Sequence, residues 1–199
     1  IRSWYIARNI VTHEDVTTQI LDDVYAAWYN KIPGDGEGEC KYFHLLGEIA
    51  AREETRPEIL WHIYNRNDYR ESDNFLGIMN MYFAQNPSTP CGILEKLSKD
   101  RLDAVRIYVA SNSSTPTRVI DTLLTDADYK VRLAAVESAN VNVESVRDIS
   151  DNERESNSLV QTAIQEVLDR SMETRRGIYL VSLGENIERL REKQITSSL

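Results

Sequence analysis

The chain has 199 residues, 41% hydrophobic and 28% charged, with a formal net charge of −9 at pH 7. That is ordinary for a folded protein and supplies a substantial core for one elongated domain or two small ones. It excludes a transmembrane helix, since no apolar run approaches the ~18 residues a span needs, and it disfavours general nucleic-acid binding, whose affinity comes mostly from Lys and Arg against phosphate.

Taken in order, the predicted elements are helices. Trp4-Tyr5-Ile6-Ala7 closes a first one, so the chain opens inside what reads as the second helix of a unit, either after a missing half-unit or at an incomplete cap. Ala7–Thr12 aligns with Ala110–Thr115 without a gap, which places Val16 on Val119 and Ile20 on Leu123. The Gly-rich Pro33–Glu39 reads as an exposed loop. Ala51–Pro57 then aligns with Ala84–Pro90, and the polar run Asn65 to Asn74 is a second insertion.

The clearest repeat comes next. Asn86-Pro87-Ser88-Thr89-Pro90 is echoed 26 residues later by Asn112-Ser113-Ser114-Thr115-Pro116. In the same register Leu97 falls on Leu123, Asp100 on Asp126, Val105 on Val131 and Arg106 on Arg132. A weaker copy continues through Val136, Asn142, Val146, Ile149 and Asn152. Five units therefore begin near Ala7, Ala51, Ala84, Ala110 and Val136, at spacings of 44, 33, 26 and 26. A fixed period of this length marks helical units stacked on one continuous core.

Each unit has one internal logic. Thr-Pro opens a short helix, with Pro at the first helical position and Thr capping the orphan donors. Ile93, Leu94 and Leu97, then Val119, Ile120, Leu123 and Leu124, carry the apolar spacing of that helix. Asp100 and Asp126 mark a turn. A second helix comes after it with Leu102, Val105 and Val109, or Val131, Ala134 and Ala135, on one face. The Asn near its end suits a left-handed helix-terminating position or a cap for the next helix. Because 26 residues are short for two full helices and two turns, one helix per unit is expected to be a single short or 3₁₀-like turn.

This pattern resembles the leucine-rich repeat variant family and its HEAT-like relatives. The resemblance rests on Asn-Pro-Ser-Thr-Pro at 86–90 with Ile93, Leu94 and Leu97, and on Thr125–Val136, which looks like the Asp turn and Val-Arg helix start of a HEAT unit. It is good over 84–140, fair over 1–20 and 45–64, and poor after 155. It implies an all-α fold, a right-handed α-solenoid of short paired helices used as a binding surface. The iron–sulfur version of the variant family has a cysteine cluster. This chain has only Cys40 and Cys91, 51 residues apart, so that feature does not carry over. Two lone cysteines, with no visible signal peptide, predict a cytoplasmic location without a disulfide framework.

After the polar, acidic stretch Ser150 to Ser158 the pattern changes. Leu159, Val160, Ala163, Ile164, Val167 and Leu168 predict an amphipathic helix ending near Met172. Ile178, Leu180, Val181 and Leu183 are ambiguous, and Ile187 and Leu190 suggest a last helix. The expected division is a repeat solenoid over 1–155 and C-terminal helices over 156–199 that cap it or drive oligomerisation.

For function the sequence offers ladders rather than motifs. Tyr5, Tyr82 and Tyr108 share a repeat position, and tyrosine is a common interface anchor. Residues 14–58 hold eleven Asp or Glu against four Lys or Arg. Asp22, Asp23, Glu53 and Glu54 there suggest an acidic groove for a basic protein partner, with salt-sensitive binding. Arg106, Arg118, Lys130 and Arg132 form the alternative, a nucleic-acid stripe like that of HEAT-like DNA glycosylases, although Ser3 and Asn80 interrupt it in other units. The bland reading pairs each Arg with a turn Asp. A third possibility is an acidic inhibitor or immunity-type protein that neutralises a basic target. His13, His44 and His62 lie in different units, and His44 near Cys40 falls short of the four ligands of a zinc site. No phosphate loop or nucleophile motif is present. The expectation is a non-enzymatic module without cofactor or metal that binds another protein on its concave face and does not enter a membrane.

Overall fold

The computed structural model describes residues 2–28, 36–66, 73–151 and 155–196. Eleven helices are described: α1 Arg2–Val11, α2 Thr18–Trp28, α3 Gly36–Ala51, α4 Pro57–Tyr64, α5 Asp73–Gln85, α6 Cys91–Leu97, α7 Asp103–Ser111, α8 Thr117–Leu123, α9 Tyr129–Val136, α10 Val143–Asp151 and α11 Ser158–Thr196. The chain divides into two compact units, Ile1–Val141 and Asn142–Leu199. The fifth repeat's short helix, α10, therefore groups with α11.

The first unit is an α-solenoid. α1, α3, α5, α7 and α9 pack each on the next as one continuous layer, and α2, α6 and α8 each lie against two successive members of it. The apolar spacing read from sequence forms the core between the layers. Met79 and Phe83 of α5, Ile93 and Leu94 of α6, Val105 and Val109 of α7 and Ile120 of α8 are fully buried. Burying each such side chain stabilises by about 1.5–3 kcal/mol. Both helices of a unit are α-helical. The short ones, α6 and α8, have seven residues each, so the expected 3₁₀-like turn is instead a two-turn helix.

The loop motif staples units together. In the loop after α5, the Asn86 amide donates to Ala50 O and Arg52 O, 2.7 and 2.8 Å away, at the end of the preceding α3, while its Oδ1 accepts Ser88 N–H at 2.7 Å. Asn112 repeats this on Ala84 O (2.7 Å) and Asn86 O (2.9 Å), with Ser114 N–H at 2.8 Å. Asn140, displaced by two positions from the 26-residue register, still reaches Ser113 O and Thr115 O. The Asn at the end of α7 is neither left-handed (φ −77°) nor a simple cap. It satisfies the carbonyls that a neighbouring helix leaves unpaired at its C-terminus.

Thr and Pro also differ from expectation. Pro90 and Pro116 stand one residue before the first helical turn, with no side-chain cap at either helix, and among the described residues only Pro57 occupies a first helical position. Thr55, Thr89 and Thr115 donate backwards, to Ile49 O, Phe83 O and Val109 O at 2.5, 2.7 and 2.6 Å. A buried hydroxyl thus closes each long helix rather than opening the short one.

These bonds fix the true register. Thr55, Thr89 and Thr115 are equivalent, so Ala50, not Ala51, matches Ala84. The same loop bond, Thr115 N–H to Asn112 O, recurs as Val16 N–H to His13 O, so Val11, not Ala7, matches Ala110. The spacings become 39, 34, 26 and 26. The sequence alignment of the first unit slipped by four residues, about one helical turn, a shift after which an amphipathic pattern nearly matches itself.

The Gly-rich insertion also changes character. Gly36–Glu39 belong to α3, whereas Pro33–Asp35 lie outside the described residues, as does most of the second insertion. In the second unit, α10 packs on the first turns of α11, burying Val146, Val160, Ala163 and Ile164. Asn157 Oδ1 caps α11 by accepting Leu159 N–H at 3.0 Å, and Arg175 reaches Glu144 at 2.6 Å. The two or three helices expected after 158 are one helix of 39 residues. There is no Pro to stop it, and its two glycines, Gly177 and Gly184, each cost only about 1 kcal/mol relative to Ala.

Candidate functional site

The long-helix layer turns one repeated surface outward. Met81, Ile107 and Leu133 occupy one repeat position on α5, α7 and α9, and each is half-buried. Tyr82, Tyr108 and Ala134 occupy the next, and Ile78, Ala104 and Lys130 lie one turn earlier. Adjacent helices carry these positions side by side, giving an apolar and aromatic strip. At α3 the corresponding residues are His44, Gly47 and Glu48, and the strip becomes polar, with Glu48 held by Arg8 of α1 at 3.1 Å. The Tyr82 ring lies over Gly47, where an added Cβ would fall 2.9 Å from Tyr82 Cε2.

The tyrosine ladder is therefore shorter than the sequence suggested. Tyr82 and Tyr108 share a position on neighbouring helices. Tyr5, in the corrected register, does not. It is exposed on α1 with its ring edge-on to Trp4, centroids 4.8 Å apart. The Met81–Ile107–Leu133 row was missed by sequence reasoning, although the 26-residue period contained it. Half-buried apolar residues on a core-forming helix read as core until the helix's orientation is known.

The acidic residues belong to another part of the first unit. Asp22 and Asp23 are on α2, and Glu53 and Glu54 are in the turn between α3 and α4. Asp22 pairs with Arg56 Nε at 3.0 Å, and Glu54 with Arg52 Nε at 3.2 Å. Asp23 accepts the Gln19 amide at 3.0 Å, and the Glu53 main-chain carbonyl accepts the Ser88 hydroxyl at 2.6 Å. The Arg56 pair brings Asp22 beside the α3–α4 turn, so these carboxylates share one region, two of them charge-compensated by arginines from the same turn.

The arginines are built into the stack. Arg106 makes a two-pronged contact with Asp126 of the next unit, Nε–Oδ2 2.7 Å and Nη2–Oδ1 2.9 Å, and donates from Nη1 to Asp100 O at 2.9 Å. Asn80, one unit earlier, makes the equivalent contact with Asp100 at 2.7 Å. Arg132 donates to Asp126 O at 2.9 Å. The hydrogen bond to Asp126 holds the Arg106 guanidinium above its ordinary pKa. Burial alone would raise the Asp126 carboxyl, but hydrogen bonds from Arg106 and Asp128 N–H, with the charges of Arg106 and Arg132, outweigh it and hold the group below its ordinary value. Arg118 pairs with Glu95 across α8 and α6 at 3.0 Å, and that hydrogen bond holds it above its ordinary pKa. Lys130 is exposed at the start of α9.

His44 and His62 are exposed on α3 and α4, His13 lies in the loop after α1, and Cys91 is exposed. The Cys40 side chain is outside the described residues. Among the described residues, no group of three or more His, Cys, Asp or Glu could hold a metal ion, and no helix is long and apolar enough to cross a membrane.

Stacked helices with a repeated staple and no other described secondary structure define an α-helical repeat protein. No protein-family model and no curated protein matches the chain. Among solved structures it is similar to an engineered protein determined as a structural-genomics target (16% identity over 84% of this chain and 88% of that one, TM-score 0.44). It is also similar to a designed armadillo repeat protein (14% identity, 84% and 91%, TM-score 0.44). The repeat architecture stands on the recurring Asn, Thr and Asp contacts themselves.

Proposed function

We propose that this chain is a non-enzymatic protein-interaction module of the HEAT-like and leucine-rich-repeat-variant kind, whose partner docks on the outward strip of α5, α7 and α9. The observation that carries this reading is the row Met81, Ile107 and Leu133 beside Tyr82 and Tyr108. Large apolar and aromatic side chains held part-exposed at one position of a rigid layer are what interface anchors require. If α1, α3, α5, α7 and α9 form the concave layer, the strip lines its groove.

A basic character of the partner is a finer proposal. It rests on the net charge of −9 and on Asp23 and Glu53, the two members of the acidic cluster without an arginine contact among the described residues. The phosphate-binding alternative has less support, because Arg106 and Arg118 are already engaged by Asp126 and Glu95.

The test is affinity capture from nuclease-treated lysate of the native host, at low and moderate salt, with wild type and Ile107→Asp as bait. A protein captured by wild type and lost with Ile107→Asp carries the reading. Identical capture by both baits sinks it, and capture seen only in a parallel lysate without nuclease moves the stripe of Arg106, Arg118, Lys130 and Arg132 to the front. Charge reversal at Asp23 and Glu53 should remove the salt dependence if the partner is basic.

A further inference from the structure

The two Asp turns in the middle of the stack are not filled alike. The Asp126 carboxylate takes Arg106 Nε on Oδ2, and Arg106 Nη2 and Asp128 N–H on Oδ1. Asp100 stands at the same position one unit earlier. Its Oδ1 takes Leu102 N–H at 2.9 Å and its Oδ2 the Asn80 amide at 2.7 Å. Among the described residues nothing replaces the arginine's second prong. Arg106 does reach Asp100, but at the main-chain carbonyl and not at the carboxylate. No cation among the described residues pairs with that carboxylate, and Asp100 is part-exposed.

Asn80 gives a second, independent sign. It is 7% exposed, and its Oδ1 is buried without a hydrogen-bond partner among the described residues. The amide nitrogen is held by Asp100, so the side chain cannot turn over to remove the orphan acceptor, which is costly to leave unmet. A local reason keeps arginine from this position. Arg106 Nη1 rests on Asp100 O and Arg101 O, in the turn before α7. The counterparts of those carbonyls, at 74 and 75, lie inside α5, which begins at Asp73, four residues early in the register of α7. There they accept main-chain N–H groups one turn on. An arginine at 80 would leave its Nη1 without them. Asn80 keeps one prong, and the countercharge of Asp100 has to come from elsewhere.

We infer that the Asp100–Asn80 pair is a receptor for a guanidinium group, an arginine side chain of the partner that docks on α5, α7 and α9. The chain itself shows what this turn binds. One unit on, the same carboxylate holds a guanidinium through two N–H groups. An arginine from outside supplies that second prong, the missing charge and the donor that Asn80 Oδ1 lacks. Its planar fork matches two carboxylate oxygens, whereas the ammonium of lysine is a point charge. The pair stands where α5 meets α7, at the edge of the apolar strip: Asn80 precedes Met81, and Asp100 comes four residues before Ala104. The arginine's methylenes would lie along the strip while its head reaches the acid. The inference rests on the strip reading for the source of the arginine, and not for the site.

The site is tested apart from any partner. Methylguanidinium chloride is titrated into the isotope-labelled protein and followed by NMR, with methylammonium chloride at equal ionic strength as control. Expected are saturable shifts at Leu102 N–H and the Asn80 side-chain amide, with affinity about tenfold weaker for methylammonium. Asp100→Asn keeps an acceptor for Leu102 N–H and brings an amide donor to Asn80 Oδ1, so it should stay folded and lose the response. Asn80→Arg should lose it too, because the guanidinium is then internal. Equal responses to the two cations, or a response that survives Asp100→Asn, overturn the site. A response seen only after Arg70→Gln, a position outside the described residues, assigns the guanidinium to this chain's own insertion and overturns the partner as its source. No response in either protein overturns the site itself. Capture from lysate then reads the source: an Asp100→Asn bait should lose the partner that Ile107→Asp loses. Partner lost with Ile107→Asp but kept by Asp100→Asn leaves the strip reading standing and overturns the arginine contact.

Discussion

Replacing Asn112 by Ala tests the staple most directly. Its side chain is buried, and it makes three hydrogen bonds, to Ala84 O at 2.7 Å, Asn86 O at 2.9 Å and from Ser114 N–H at 2.8 Å. Each is worth about 1 kcal/mol net, and more where the partner left behind is buried and finds no water. Ala84 O lies at the buried end of α5, so solvent cannot readily replace the amide there. The expected loss is about 3–4 kcal/mol, which for a unit the size of Ile1–Val141 lowers Tm by ~10 °C. The assay is thermal and urea unfolding by circular dichroism, with Ser113→Ala as control, since the Ser113 side chain is exposed. Because a solenoid's stability depends on each interface between neighbours, hydrogen exchange should also quicken on both sides of the α5–α7 junction. A Tm loss under ~2 °C, no greater than that of Ser113→Ala, would show that the loop amides do not hold the units together.

Three further outcomes rest on the same geometry. Thr115→Val keeps the side chain's shape but loses the 2.6 Å bond to Val109 O, and should cost about 1–2 kcal/mol in urea unfolding. Arg106→Gln removes the two-pronged contact with Asp126 and should cost about 2–3 kcal/mol at neutral pH. Because the folded-state pKa of Asp126 is depressed from 3.8, its contribution is present above that value and is lost as pH falls through the lower folded value. The gap between wild type and Arg106→Gln should therefore be flat from pH 7 to about 5 and narrow below about 4, which a pH series of unfolding curves reads directly. Gly47→Ala places a Cβ 2.9 Å from the Tyr82 ring and should cost about 1–2 kcal/mol. In a Tyr82→Ala background most of that cost should vanish, and an unchanged cost in that double mutant would place the strain elsewhere.

Sequence alone determined the helical content, the 26-residue period and the core. Periodic apolar residues such as Ile93, Leu97, Val105 and Val109 bury one face of a helix wherever that helix packs. It also located the Asp100 and Asp126 turns, because an Asp side chain accepts a main-chain N–H two residues on and needs nothing distant to do so. The tertiary structure decided the partners. Thr89 and Thr115 were legible as helix openers and act as helix closers, since a hydroxyl in that loop can reach either helix and only packing selects one. Tyr5 left the tyrosine row because a four-residue slip along an amphipathic helix barely alters its apolar pattern. Only the hydrogen bonds that each loop makes within itself and back to its own long helix, invisible to periodicity, fix the register and with it which surface each residue shares.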